Sequence, residues 1–239
     1  RFLPFSHLGG RTIGNVNDRD RGVVGLEYSF NRQLAGINGK GLYQKMAGGG
    51  WKPIYDGTEI RPVDGYDIQT TINVDLQDVT ESALLNELQK HDADYGVAVV
   101  MEVATGEIKA ISNLSKNSNG DYYERYNYAV GSQGSREPGS TFKLASMIAL
   151  LEETDIQLTD SIDTGDGSLE FFDRTMRDHK PGGFGKLTVK EIFEKSSNVG
   201  VAKLVSHYFQ NDPDKFINYL KSMNLHQPLD FQMAGEGKP

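Results

Sequence analysis

The chain contains no cysteine. Disulfides, thiolate nucleophiles and cysteine–zinc sites are therefore excluded. Its absence fits an oxidising compartment without proving one. No apolar run is long enough to cross a bilayer, and no signal peptide opens the chain. Positive charge is scarce: 25 Lys+Arg stand against 33 Asp+Glu, a formal net charge of −8. That balance disfavours a general binder of nucleic-acid phosphates. The five histidines (His7, His91, His179, His207 and His226) are scattered, with no His-Glu-x-x-His or other metal spacing. Neither the three glycines at 48–50 nor Gly-Asp-Gly at 165–167 is followed by the Lys-Ser/Thr of a phosphate loop. An initiator methionine is also missing. The chain starts abruptly at Arg1 and is read as a piece of something longer.

What is present is ordinary in bulk. With 37% apolar and 24% charged residues over 239 positions, the chain suits one large or two modest globular domains. Residues 1 to about 66 are rich in glycine and charge. Within them, RGVVGLEYSFNRQLAG predicts a short helix from Gly25 to Gly36, and GINGKGLYQKMAGGGWKP an extended or hairpin region. From Tyr66 the texture tightens. Tyr66 to Ile72 alternates as a strand does. Asp75 is placed to cap a helix running to about Gln89, with Leu76, Val79, Ala83, Leu84 and Leu88 near one face. Two β-rich runs then flank Ala104-Thr105-Gly106, a hairpin signal. Residues 155 to 186, full of Asp and Gly, look irregular. Order resumes with a possible capping box at Thr188 and Glu191, a short helix to about Lys195, a pause at Ser196-Ser197-Asn198 and a second helix to about Phe209. Asp212-Pro213 opens another helix, ending near Asn224.

The stretch EPGSTFKLASMIALLEE, Glu137 to Glu153, carries the chemistry. Pro138 and Gly139 break the chain before a helix that has no charge from Leu144 to Leu151. A helix so apolar is expected to be buried on most faces. Yet its first turn holds Ser140 and Lys143, three residues apart and so on one face. A serine hydroxyl becomes a nucleophile when a neighbouring base takes its proton. Lys143 is such a base only when neutral, and burial or a second cation lowers a lysine pKa. A helix N-terminus adds N–H donors and a field that favours a developing oxyanion. A serine at a helix start is commonly just a cap, but Ser140–Lys143 is the only Ser-x-x-Lys in the chain.

A Ser-x-Asn motif is the usual companion. It occurs at Ser29, Ser115, Ser196 and Ser222. Ser29 falls in the first region, Ser115 in a polar loop and Ser222 at a helix end. Only Ser196-Ser197-Asn198 sits in a break between two helices downstream of Lys143. A plain interhelical turn is the other reading of that tripeptide.

EPGSTFK, KSSNVGVAKL and the closing GEGKP resemble the transpeptidase domain of class B penicillin-binding proteins. RFLPFSHLGGRTIG and RGVVGLEYSFNRQLAG resemble the segments that precede that domain, and DIQTTINVDLQ its opening strand and helix. The division-type enzymes look nearer than the elongation-type. The resemblance implies an α+β, serine β-lactamase-like fold, an antiparallel sheet with helices. Here it is truncated, with residues 1–66 ending an elongated pedestal and 67–239 forming the N-terminal part of the transpeptidase. It implies Ser140 as nucleophile on a D-Ala–D-Ala bond, Lys143 as its base, Ser196 as proton relay to the leaving amine and Asn198 as holder of the donor stem peptide. It implies no metal or organic cofactor.

The implied partners are peptidoglycan stem peptides, β-lactams, a glycosyltransferase and divisome proteins, with no nucleic acid. The implied location is the cell envelope, with a membrane anchor upstream. The family's Lys-Thr/Ser-Gly motif is absent, and the late candidate Lys238-Pro239 ends the chain. The chain alone is therefore expected to be inactive, with flexible loops near the site, above all over 160–186. A β-lactam sensor domain, a serine β-lactamase and a non-enzymatic scaffold are the competing classes.

Overall fold

The computed structural model describes residues 5, 7–171 and 173–237. The Lys238-Pro239 end and the first four residues of RFLPFSHLGGRTIG lie outside that set. The chain divides into two compact units, residues 1–135 with 228–238 and residues 136–227 with 239.

In the first unit three short helices come early: α1 (Gly10–Ile13), α2 (Gly25–Ser29) and α3 (Asn31–Leu34). The single helix expected from Gly25 to Gly36 is thus two, broken at Phe30. Ser29 Oγ donates back to Gly25 O at 2.8 Å, a side-chain competition that bends helices. Gly36 stops the run at φ +61°, where a Cβ would stand 2.3 Å from Val63 O. The glycine-rich stretch is a hairpin. Its strands β1 (Leu42–Lys45) and β2 (Trp51–Ile54) pair antiparallel, with Leu42 opposite Ile54.

Helix α4 (Val74–His91) follows. Its cap is Asn73, whose side chain accepts from Leu76 N at 3.0 Å, rather than Asp75, which falls inside the first turn. Strands β3 (Tyr95–Met101) and β4 (Ile108–Lys116) form the expected hairpin, Tyr95 opposite Ser115, and short β5 (Tyr122–Tyr123) pairs the end of β4. Ser115, expected in a loop, is a buried residue of β4.

Along the outer edge of β4, side chains stand where a strand would. Gln77 Nε2 donates to Ile111 O at 3.0 Å, and Ile111 N donates to Gln77 Oε1 at 2.8 Å. Asn113 N donates to Glu124 Oε1 at 3.0 Å. This explains two corrections. The buried face of α4 is centred on Gln77 and Leu88, while Leu76 and Val79 are 42% and 65% exposed. Tyr66–Ile72 is not a strand. It is hydrogen-bonded to β4 where Thr71 Oγ1 donates to Ile108 O, just before Asn73 N donates to Lys109 O. Alternation there is not accompanied by the ladder that defines a strand.

In the second unit, one 3-10 turn (Gly139–Thr141) leads into α5 (Phe142–Glu153). α5 is less enclosed than its composition suggested: Ser146, Met147, Ala149 and Leu150 are buried, but Leu144 is 55% exposed. Residues 155–186 are more ordered than expected. They contain β6 (Ser161–Asp163), β7 (Ser168–Phe171) and β8 (Arg174–Arg177), and β9 (Lys186–Thr188) closes the segment. β6 pairs with β9 and β7 with β8, both antiparallel. The Asp and Gly residues form the turns between strands too short to show alternation. At Gly183, φ +71°, a Cβ would lie 2.2 Å from Asp166 C, so this crossing admits only glycine.

Then come α6 (Val189–Glu194), α7 (Asn198–Phe209) and α8 (Pro213–Ser222). The capping box of Thr188 and Glu191 and the Asp212 cap form as expected. Met147 and Leu150 of α5 share one core with Leu187, Val189, Ile192, Val201, Leu204 and Phe209. Antiparallel strands with helices give the expected α+β character. Among the described residues no helix is long and apolar enough to cross a membrane.

Candidate active site

All four residues singled out from the sequence fall in the second unit. Ser140 lies in the 3-10 turn that feeds α5, one step earlier than a helix N-cap, and is exposed. Gly139 before it holds φ +57°, and Thr141 Oγ1 donates back to Pro138 O at 2.5 Å, so the turn is locally braced. Lys143 sits in the first turn of α5 and is half-buried.

Lys143 Nζ donates to Ser196 O at 2.6 Å and to Ser196 Oγ at 3.0 Å. The structure thus joins two residues 53 positions apart that were chosen separately from motifs. Among the described residues the hydrogen bonds of Lys143 run to Ser196 and not to Ser140. Burial pulls the lysine below its ordinary pKa, opposed by the Asp178 carboxylate. Removing water from an ammonium favours the free amine, the form a general base needs.

Ser196 occupies the break between α6 and α7 with φ +51°. A non-glycine residue held there costs about 1–3 kcal/mol and persists only where its surroundings fix it. Ser197, fully buried, caps α7: its Oγ accepts from Gly200 N at 2.9 Å. Asn198 opens α7, and its Nδ2 donates to Arg177 O at 2.7 Å, orienting its carboxamide.

The sequence reading missed Asp178. It lies just past β8, in the segment taken as irregular. Ser197 Oγ donates to both its carboxylate oxygens at 3.0 Å, and Val199 N donates to Oδ1 at 3.0 Å. No local pattern marks this aspartate, because its partners lie about twenty positions downstream.

A lysine whose pKa burial lowers, a hydroxyl within its reach and an exposed serine one turn before it are arranged as a serine acyl-transfer site requires. Architecture and motifs thus agree on a class, the α+β proteins with Ser-x-x-Lys at the start of a helix. The chain belongs to the penicillin binding protein transpeptidase domain family, whose model matches residues 96–238.

Its relatives include stage V sporulation protein D of Bacillus subtilis, 28% identical over 241 residues, covering 99% of this chain and 37% of that protein. The peptidoglycan D,D-transpeptidase FtsI of Buchnera aphidicola is 27% identical over 241 residues, covering 100% of this chain and 41% of that protein. The chain therefore spans about two fifths of the length of these relatives. Among solved structures, a peptidoglycan synthetase from Bifidobacterium adolescentis aligns with TM-score 0.72 at 26% identity, over 97% of this chain and 42% of that one. Penicillin binding protein 3 from Mycobacterium tuberculosis aligns with TM-score 0.78 at 23% identity, over 99% and 49%, and so shares the fold.

Proposed function

We propose that the full-length protein is a peptidoglycan D,D-transpeptidase that works through a serine acyl-enzyme. The observation that carries this reading is the pair of hydrogen bonds from Lys143 Nζ to Ser196, made by a lysine whose charge is disfavoured by burial. Ser140 Oγ attacks the carbonyl of a D-Ala–D-Ala bond while Lys143 takes its proton. The Ser196 hydroxyl, already bonded to Nζ, passes a proton to the departing D-Ala amine. Asn198 holds the stem peptide. The amine of a second strand then takes the acyl group from Ser140, which forms the cross-link and frees the hydroxyl.

β-Lactams acylate the same serine and stay there. The relative named peptidoglycan D,D-transpeptidase supports the reaction; a role in division, beside a glycosyltransferase and other divisome proteins, in the cell envelope and anchored in the membrane, is what the motif resemblance implies. Residues 1–66 end a non-catalytic pedestal and 67–239 belong to the transpeptidase. No metal or organic cofactor enters this chemistry.

The test is mass spectrometry of the full-length protein after incubation with penicillin. The adduct is expected on the tryptic peptide from Glu137 to Lys143, which holds Ser140, and is lost in Ser140→Ala. An adduct on another serine of the folded protein overturns the reading. Rapid release of hydrolysed penicillin indicates a β-lactamase instead. Stable acylation without cross-linking of stem peptides indicates a sensor.

A further inference from the structure

We propose that Asp178 is a positioning residue of this site: through Ser197 and the first turn of α7 it fixes Ser196 against Lys143, and it acts as an anion facing that lysine. The inference rests on the acyl-transfer reading above.

The geometry is a clamp. The carboxylate receives the Ser197 hydroxyl on both oxygens and the Val199 N–H on one, all at 3.0 Å. These are the two residues on either side of Asn198. The preceding residue, Arg177, receives Asn198 Nδ2 on its carbonyl. The end of β8 therefore grips three successive residues, Ser197 to Val199, and leaves Ser196 directly before the gripped stretch. Ser196 is the residue held at φ +51°. Its backbone is held on both sides: Ser196 N donates to Phe193 O and Ser197 N to Ile192 O, both at 3.0 Å, closing the C-terminus of α6 around a left-handed residue, and Ser196 O accepts from Lys143 Nζ at 2.6 Å. The end of α6 accounts for the left-handed residue itself, and Asp178, bonded to the residues that follow, fixes where the start of α7 places it. A carboxylate is also well matched to the unpaired N–H groups of a helix start.

The anion has a second consequence. When Lys143 receives the serine proton it becomes an ammonium, and the Asp178 charge stabilises it there. Among the described residues, Asp178 is the charged group whose field reaches Lys143, and it favours the ammonium. α5 contributes Lys143 itself. From the α6–α7 break comes Lys195, which pairs with Glu191 at 3.7 Å. Beside the clamp on the β8 side stand Arg177 and His179. Burial and the carboxylate thus pull Lys143 in opposite directions, and their balance sets the pH at which it becomes a base.

The experiment uses the full-length protein, with acylation by a fluorescent penicillin resolved into a saturating rate constant and a half-saturating concentration across a pH series. Asp178→Ala removes clamp and charge. Its rate constant is expected to fall by about 10²-fold, the scale of a misplaced catalytic group, with the half-saturating concentration little changed. Asp178→Asn keeps an oxygen for Ser197 and Val199 but loses the charge. It is expected to regain most of the rate at alkaline pH and to move the acid limb of the profile to lower pH, because Lys143 then sheds its proton more easily. A purely structural role leaves that limb in place.

The proposal is overturned if Asp178→Ala acylates as fast as the wild type, or if the acid limb of Asp178→Asn coincides with the wild-type limb. Should Asp178→Ala melt, the folded Asp178→Asn variant decides. Ser140→Ala separates the two levels. If the wild type is not labelled at Ser140, the acyl-transfer reading fails. If it is labelled and the Asp178 variants match it, only the positioning role fails.

Discussion

The outer edge of β4 and the Ser196–Val199 turn are built with the same device, a side chain that reaches across the sequence to hold backbone. They differ in what is left over. At the β4 edge, the Gln77 amide spends its donor and its acceptor on Ile111, and the Glu124 oxygens accept from Arg11 N and Asn113 N. At the turn, Asp178 holds the helix start while Lys143, partly withdrawn from water, has its pKa lowered by burial, and Ser140 stands exposed. A shifted pKa does not separate the two regions, since Glu124 is displaced as well, up to about 7. A perturbed group marks a site when it faces another reactive group. Lys143 faces the Ser196 hydroxyl, whereas Glu124 faces backbone amides.

The sharpest way to break this contrast is at the turn. Lys143→Arg keeps the positive charge but does not release its proton near neutral pH. If basicity is what matters, acylation of the full-length protein falls by at least about 10²-fold, the usual loss of a general base. The melting temperature moves little by comparison. A near-normal rate, measured by fluorescent-penicillin labelling, would show that charge alone serves, and the turn would then be scaffold like the β4 edge.

At the β4 edge the same logic predicts loss of stability instead. Gln77→Ala leaves the N–H and C=O of Ile111 buried and unpaired. Each such group costs about 1–3 kcal/mol, so the unfolding free energy is expected to drop by about 2–6 kcal/mol in a denaturant titration. Labelling should still fall on Ser140. A loss below about 1 kcal/mol would mean that another donor or water replaces the amide.

What could be read from the sequence follows the same division. The β3–β4 hairpin, the Thr188 capping box, the Asp212-Pro213 start and the Ser-x-x-Lys turn carry their signals within a few residues. Spacing and residue type were therefore enough. The Ser196 break was legible as a pause between helices. Gln77 was hidden by its neighbour Leu76, since periodicity assigns apolar residues to the buried face and cannot see a strand edge 34 positions away. Tyr66–Ile72 showed alternation without a partner, and the strands of 155–186 are three or four residues long, too short for a period. Asp178 combines both difficulties: it sits in that segment and works through residues 19 and 21 positions later.

The finest test uses pH at the β4 edge. Burial raises the Glu124 carboxyl from its ordinary 4.5 to about 7, outweighing the Arg11 and Asn113 amides that favour the anion, and the nearby Glu81 adds to the rise. The folded chain then keeps this proton up to about pH 7, while the unfolded chain releases it near pH 4.5. Between those values the unfolded state binds fewer protons, so stability falls as pH rises. Above the folded pKa the fall stops. A shift of this size corresponds to about 3–4 kcal/mol in all. Glu124→Gln cannot ionise. It also presents only one acceptor to two backbone N–H groups, so it is expected to be less stable than the wild type at low pH. Its denaturation midpoint should change less between about pH 4.5 and pH 7 than that of the wild type, by close to one proton of linkage. Parallel curves for the two proteins would mean that Glu124 is already ionised in the fold. The β4 edge would then hold a charge as the turn does with Asp178, and the distinction between the regions would rest on the lysine alone.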